Sequence, residues 1–141
     1  MTRFPAPARP WKAPILVAAL ALAMALGCGS ASEDPIRAVS QQEIVSGLES
    51  KAGPLLLDVR TPQEFAGGHL PGALLVPVAE VPGRLAEVRE ASRGREVVVY
   101  CERGGRAMKA AQSLTDGGFE HVGHLEGDMR AWREARLPVQ H

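Results

Sequence analysis

Short apolar runs alternate with segments of helical periodicity between residues 36 and 136, and this alternation limits the chain to few folds. Five apolar runs predict strands, at residues 36–39, 54–59, 73–76, 96–100 and 121–125. Five segments predict helices, which follow Ser40 and Thr61 and then cover residues 80–91, 107–114 and 129–136. Strands that alternate with helices predict an α/β domain around a central, mainly parallel sheet of five strands.

The N-terminal residues have the pattern of a secretory signal. Residues 1–14 contain three basic residues and no acid, and residues 15–26 form an uninterrupted apolar run. A membrane-spanning helix needs about 20 apolar residues, so this run is too short to cross a bilayer comfortably. We therefore expect residues 1–27 to be a signal peptide, residues 28–35 a polar tether, and residues 36–141 the folded domain.

Residues 25–28, Ala-Leu-Gly-Cys, resemble the lipobox of bacterial lipoproteins, although Ala25 stands where leucine is more usual. The resemblance implies that Cys28 is lipidated and anchors the protein to a membrane of the bacterial cell envelope, facing the periplasm. It leaves open whether that is the inner or the outer membrane. An ordinary signal cleaved nearby and an uncleaved anchor are the alternatives.

Lipidation of Cys28 would leave Cys101 as the single thiol, so no intramolecular disulfide could form. Removal of the signal leaves 13 basic against 16 acidic residues, a net charge of −3, and the sequence shows no basic patch for nucleic acid. The histidines have no acidic or thiol companions at ligand spacing, and no metal site is predicted.

Cys101 follows a predicted strand and opens a short glycine-rich loop, residues 101–106, which leads into a helix. The carboxyl ends of strands in open α/β sheets are where ligands bind. Gly104 and Gly105 allow the loop to aim backbone N–H groups at the sulfur, and Arg103 and Arg106 add positive charge. These features favour the thiolate over the thiol and predict a nucleophile. A buried structural thiol is the alternative.

Four stretches, in order, resemble the rhodanese (sulfurtransferase) family, and together they cover about residues 36–139. They are the Asp58-Val-Arg60 stretch with Glu64 and Phe65, the Gly68-His-Leu-Pro-Gly-Ala73 stretch, the loop from Tyr100 to Arg106, and the closing Leu125-Glu-Gly stretch with Met129 and Trp132. The resemblance implies the family's three-layer fold, with helices on both sides of the sheet.

The resemblance also implies a reaction in two steps. The Cys101 thiolate takes a sulfane sulfur from a donor such as thiosulfate, and a thiophilic acceptor such as cyanide or a thiol removes it from the resulting persulfide. It implies no cofactor. Residues 102–106 (Glu102, Arg103, Gly104, Gly105 and Arg106) would bind the substrate anion, with Arg60 as a further pocket candidate. Asp58 and His69 are interpreted as structural support, the latter through a loop hydrogen bond.

Two features keep other functions open. Phosphatases with a similar cysteine loop place the arginine six positions after the cysteine, whereas Ala107 stands there in this sequence. A phosphatase or arsenate reductase is therefore disfavoured against sulfur transfer. Glu102 could repel an anionic donor, so a donor other than thiosulfate and a catalytically silent binding module remain alternatives. Glu126 and Asp128 are interpreted as facing solvent, with Asp128 in a left-handed conformation.

Overall fold

The computed structural model of the protein describes residues 36–141. The predicted signal peptide, the tether and Cys28 lie outside these residues. Within residues 36–141, no helix has both the length and the apolar character that crossing a bilayer requires. The predictions for the N-terminal segment therefore stay predictions.

The central sheet has five strands, and every neighbouring pair is parallel, as the sequence predicts. The strands are β1 (Ile36–Val39), β2 (Leu55–Asp58), β3 (Leu74–Leu75), β4 (Val97–Tyr100) and β5 (Val122–Leu125). Their order across the sheet is β1-β5-β4-β2-β3, with Leu57 beside Val99 in the register of the central pair. All four residues of β2 and of β4 are buried, which explains their continuous apolar sequences.

Five α-helices connect the strands: α1 (Gln41–Ser50), α2 (Pro62–Ala66), α3 (Leu85–Ser92), α4 (Gly105–Asp116) and α5 (Asp128–Glu134). Ser40 and Thr61 each close a capping box with a glutamate three residues later, as predicted. The single helix predicted over residues 80–91 is wrong in its first part. A 3-10 turn at Val81–Gly83 precedes α3, because Arg84, with a φ of −118° and a ψ of 19°, departs from helical geometry between the two.

The core is divided by the sheet into two apolar layers, because successive strand residues point to opposite faces. Leu57 and Val99 belong to the layer that packs α3 and α4, together with Val88, Ala107, Ala111 and Leu114. Leu56, Val98 and Tyr100 belong to the opposite layer, which packs α1 and α5 through Ile44, Met129 and Trp132. The three-layer fold is therefore confirmed, and its sheet sets the strand ends on which the site is built.

The C-terminal tail, residues 137–141, folds back onto the loop that precedes β3. His69 and Gln140 exchange two backbone hydrogen bonds of 2.9 Å each as an isolated antiparallel bridge. The Trp132 indole N–H donates to the Pro138 carbonyl at 2.8 Å, and Gln140 accepts from the Gly72 N–H at 3.2 Å. The tail thus ties α5 to the loop of residues 67–73.

Candidate active site

The loops that follow β2, β4 and β5 lie side by side, because these three strands are parallel neighbours. They bring Arg60, Cys101 and Asp128 to the same edge of the sheet. The beginning of α2 adds Glu64 to this edge. The candidate site therefore lies where open α/β sheets bind ligands, at the carboxyl ends of the central strands.

Cys101 is 2% exposed, and its sulfur faces the loop that follows it. The Gly104 N–H donates to the Cys101 Sγ at 3.1 Å. Gly104 has a φ of 97°, a left-handed conformation that glycine adopts without strain. Among residues 36–141 this is the one backbone N–H bonded to the sulfur, whereas the sequence predicts several. Helix α4 begins at Gly105, one residue after the donor Gly104, and its first N–H groups have no partner within the helix.

Asp128 is buried, and its interpretation as a solvent-facing residue is wrong. Its carboxylate accepts a hydrogen bond from the Cys101 backbone N–H at 2.8 Å and lies 3.0 Å from the His124 Nε2. Because a carboxylate only accepts, Nε2 is the protonated nitrogen of that histidine. The predicted left-handed conformation of Asp128 is present, with a φ of 53°. The sequence interpretation missed this contact because 27 positions separate the two residues.

Arg106 forms a two-bonded ion pair with Glu64, and both N···O distances are 2.7 Å. Glu64 also caps α2, because its carboxylate accepts from the Thr61 N–H at 2.9 Å. These bonds, first of all those from Arg106, lower the pKa of Glu64 to about 2. The pKa of Arg106 is raised, chiefly by Glu64 and in smaller part by Cys101. Arg106 therefore lies beside the nucleophile and is held there by Glu64. The sequence places Glu64 in a family motif but does not predict this ion pair.

Arg60 lies inside the protein and is 1% exposed. Its guanidinium donates to the Asp58 carboxylate at distances of 2.6 to 3.0 Å and to the Gly68 carbonyl at 2.9 Å. Burial alone would lower the pKa of Arg60, but the bonds to Asp58 outweigh it and the pKa is raised. The guanidinium also lies over the Tyr100 ring, 5.8 Å from its centroid. This placement is that of a buried support, not of an open pocket wall.

Glu102 turns towards two guanidinium groups. Its carboxylate pairs with Arg133 and lies 3.8 Å from the NH1 nitrogen of Arg60. Opposite charges on both sides offset the repulsion that a carboxylate beside the nucleophile would exert on an anion. Arg103 is exposed, and its side chain makes no hydrogen bond or ion pair within residues 36–141. Arg103 is therefore the cation of the loop that is open to an incoming anion.

His69 is 6% exposed and supports the loop before β3. Its Nδ1 donates to the Phe65 carbonyl at 2.9 Å, and its ring stacks on that of Phe65 at a centroid distance of 3.6 Å. Its backbone forms the bridge to Gln140. The side chain therefore makes a loop hydrogen bond of the kind that the sequence predicts.

The arrangement suits nucleophilic chemistry on an anion. A thiol at a strand end accepts one N–H bond, adjoins the start of α4 and has Arg106 nearby. Residues 36–141 contain no group of three or more His, Cys, Asp or Glu side chains placed to hold a metal ion. The roles of residues 102–106 in anion binding stay predictions.

Comparison with known proteins relates this site to one family. The rhodanese-like domain matches residues 40–135. A sulfurtransferase of Allochromatium vinosum is 33% identical over 104 residues, which cover 74% of this chain and 94% of the relative. Thiosulfate sulfurtransferase 16 of Arabidopsis thaliana chloroplasts is 36% identical over 98 residues, covering 63% of this chain and 82% of the relative.

A solved structure agrees with these relatives. The human single-domain sulfurtransferase TSTD1 is 31% identical, with a TM-score of 0.59, covering 69% of this chain and 95% of the human one. Some other curated relatives are longer, and the chain spans about half of their length. The matched residues include β2, β4 and β5 and the helices that follow them, on which the site is built. The chain therefore belongs to the rhodanese-like domain family.

Proposed function

We propose that the protein is a sulfurtransferase that carries sulfane sulfur as a persulfide on Cys101. The observation that carries the proposal is the hydrogen bond from the Gly104 N–H to the Cys101 Sγ, made at the end of a central strand and beside Arg106. The relatives named sulfurtransferases support it. Thiosulfate is the proposed donor, and cyanide or a thiol the proposed acceptor.

The proposed reaction has two displacements. The Cys101 thiolate attacks the outer sulfur of thiosulfate, the S–S bond of the donor breaks, and sulfite leaves with the bonding electron pair. Cyanide then attacks the outer sulfur of the persulfide, so thiocyanate forms and the thiolate returns. With a thiol acceptor, the acceptor loses its proton to solvent and carries the sulfur away as its own persulfide. Neither step needs an external oxidant or reductant.

The loop would stabilise negative charge on sulfur throughout this cycle. The Gly104 N–H contacts the inner sulfur, and the unpartnered N–H groups at the start of α4 are the donors closest to it in sequence. Arg103, which is exposed, would attract the anionic donor, whereas the charge of Arg106 is shared with Glu64. In this proposal Arg103 attracts the anionic donor, and the backbone N–H groups of the same loop stabilise the negative charge on sulfur.

The test is to incubate the purified protein with thiosulfate and to measure the mass of Cys101. Transfer predicts a gain of about 32 Da, one sulfur atom, which cyanide removes. Cys101→Ser should show no gain and no thiocyanate formation, with an unchanged melting temperature. Ser113→Ala, a change of another small residue that is half-buried on α4 and outside the site, should retain the gain. A folded protein that gains no sulfur from thiosulfate or from a persulfide donor would contradict the proposal.

A catalytically silent binding module is the second candidate. The 2% exposure of Cys101 favours it, because a nucleophile must be reached by its donor. A silent module would bind sulfur anions without a mass gain on the thiol. A phosphatase or arsenate reductase would hydrolyse or reduce its oxyanion, and turnover of either one without sulfur transfer would replace the proposal.

We further propose that the protein is a lipoprotein of the bacterial cell envelope, exported by residues 1–27 and anchored through Cys28. The basic start, the short apolar run and the lipobox-like residues 25–28 support this. Cys28→Ser should abolish lipid attachment and cleavage before residue 28, so the variant should retain residues 1–27, which its mass would show. A Cys28→Ser protein that is processed and partitions with membranes like the parent would contradict lipidation at Cys28.

A further inference from the structure

We propose that Asp128 is a positioning residue for the Cys101 nucleophile, and that it acts through the backbone of that cysteine. This inference deepens the proposed sulfurtransferase function and rests on it. The carboxylate lies 2.8 Å from the Cys101 backbone nitrogen and has a side-chain exposure of 3%. A buried carboxylate needs partners of this kind, because burial of an unpaired charge is costly.

The chain segment at the start of α5 holds Cys101 from both sides of its Cα. The Cys101 N–H donates to the Asp128 carboxylate, and the Cys101 carbonyl accepts from the Met129 N–H at 3.0 Å. The next carbonyl, that of Glu102, accepts from the Arg130 N–H at 3.3 Å. Both peptide groups that flank the nucleophile are therefore fixed, and with them the direction of the Cα–Cβ bond that carries the sulfur.

Asp128 also packs against the residue that donates to the sulfur. A Cβ placed on Gly104 would lie 3.1 Å from the second carboxylate oxygen of Asp128. The carboxylate thus lies next to the turn in which the Gly104 N–H donates to the Cys101 Sγ at 3.1 Å. The Asp128 carboxylate is therefore bonded to the first residue of the four-residue turn from Cys101 to Gly104 and occupies the space beside the fourth.

His124 keeps the carboxylate in this orientation. Its Nε2–H donates to the second oxygen of Asp128 at 3.0 Å, which leaves the first oxygen for the Cys101 N–H. The imidazole is 22% exposed, so it forms the outer wall of the contact. Asp128 adopts a φ of 53°, a conformation in which glycine is more comfortable, so its side chain is present despite a local backbone cost.

The test compares two substitutions at position 128. Asp128→Gly removes the acceptor and relieves the backbone, whereas Asp128→Asn keeps an acceptor oxygen, tolerates the left-handed conformation and removes the charge. Glu126→Gln is the matched control, because it removes the same charge from an exposed side chain two positions away. The readouts are kcat and KM for thiosulfate, the rate of alkylation of Cys101 by iodoacetamide, and the melting temperature.

Positioning predicts that Asp128→Gly lowers both kcat and the alkylation rate by about tenfold, as expected for loss of a hydrogen bond to a charged acceptor. The KM for thiosulfate should change little. Asp128→Asn should stay within about threefold of the parent in both rates, and Glu126→Gln should match the parent.

Parental rates in folded Asp128→Gly would overturn the inference, even if its melting temperature falls, because the carboxylate would then serve stability alone. Faster alkylation in both Asp128 variants would also overturn it, since the carboxylate would then act through its charge. If Asp128→Gly does not fold, His124→Ala removes the bond that orients the carboxylate and should lower both rates. His124→Gln, which keeps a donor, should restore them, and equal rates in both His124 variants would overturn the inference.

Alkylation separates this inference from the proposed function, because iodoacetamide needs neither a sulfur donor nor an acceptor. A parent that gains no sulfur but loses alkylation rate in Asp128→Gly would contradict sulfur transfer and support positioning. Equal sulfur transfer by the parent and by Asp128→Gly would support sulfur transfer and contradict positioning.

Discussion

Arg60 and Arg106 follow neighbouring parallel strands, β2 and β4, and each pairs with a carboxylate, but their surroundings differ. Arg60 is 1% exposed and is bonded to Asp58 and to the Gly68 carbonyl, whereas the Arg106 side chain is 35% exposed and bonded to Glu64. The Arg60 guanidinium is bonded to Asp58 and to the Gly68 carbonyl, so it holds the loops after β2 and before β3 together. A half-buried one can still approach an anion, so burial separates a structural arginine from a candidate substrate-binding one.

The largest effect on stability should come from breaking the buried pair. Arg60→Met leaves the Asp58 carboxylate buried without its guanidinium, and we expect a loss of about 3 to 5 kcal/mol in the free energy of unfolding. Urea denaturation measures this. Arg130→Met breaks an ion pair whose partners are 63% and 65% exposed, and it should cost less than about 1 kcal/mol. Equal losses in the two variants would remove the contrast.

The largest effect on turnover outside Cys101 should come from Arg106. Arg106→Gln removes the positive charge beside the nucleophile, and we expect kcat/KM for thiosulfate to fall by about tenfold or more. The unfolding free energy should fall by only about 1 kcal/mol, because the pair with Glu64 is partly exposed. Arg106→Lys keeps the charge but loses the two-bonded geometry, so its kcat/KM should lie between those of Arg106→Gln and the parent. A stability loss as large as that of Arg60→Met would contradict this assignment.

A smaller, pH-dependent effect should distinguish the exposed pair. The pKa of Glu64 lies at about 2 in the folded protein against an ordinary value of 4.5, so its contribution to stability is present above pH 4.5. As the pH falls from 4.5 towards 2, this contribution should disappear. We expect the parent to exceed Glu64→Gln by about 1 kcal/mol at pH 6, after allowance for solvent screening, and to converge with it near pH 2. Urea denaturation of both proteins at several pH values measures the difference, and a difference independent of pH would contradict the ion pair.

The smallest effect is expected at Glu102. Its carboxylate already faces Arg133 and Arg60, so Glu102→Gln should change the KM for thiosulfate by less than about threefold. Steady-state kinetics with thiosulfate and cyanide measure this. A tenfold fall in KM would instead mean that the Glu102 charge repels the donor, as the sequence alone suggests.

Local sequence patterns were sufficient to predict the framework. The four residues of β4, the cysteine after them and the glycines before α4 are contiguous, so the strand, the loop and the helix could be read from one stretch. The capping residues Ser40 and Thr61 likewise mark helix starts within three positions. Propensity and periodicity act over such distances, which is why the fold and the place of Cys101 were predicted correctly.

The contacts that complete the site join distant parts of the chain and could not be read in this way. Glu64 and Arg106 are 42 positions apart, and Asp128 reaches the Cys101 N–H across 27 positions. Asp128 looked like a surface residue because aspartate is rarely buried without partners. One partner is His124, four positions away, and the other is the Cys101 N–H, which comes within reach only when β4 and β5 pair.

The bridge between His69 and Gln140 has a practical consequence for handling the protein. The family match ends at residue 135, yet Pro138 and Gln140 hold α5 and the loop that supplies the Gly68 acceptor of Arg60. A chain that ended at residue 135 would retain every strand but lose these tail contacts. Affinity tags and fluorescent fusions appended after residue 141 would lie next to these tail contacts and would need a flexible spacer to leave them undisturbed.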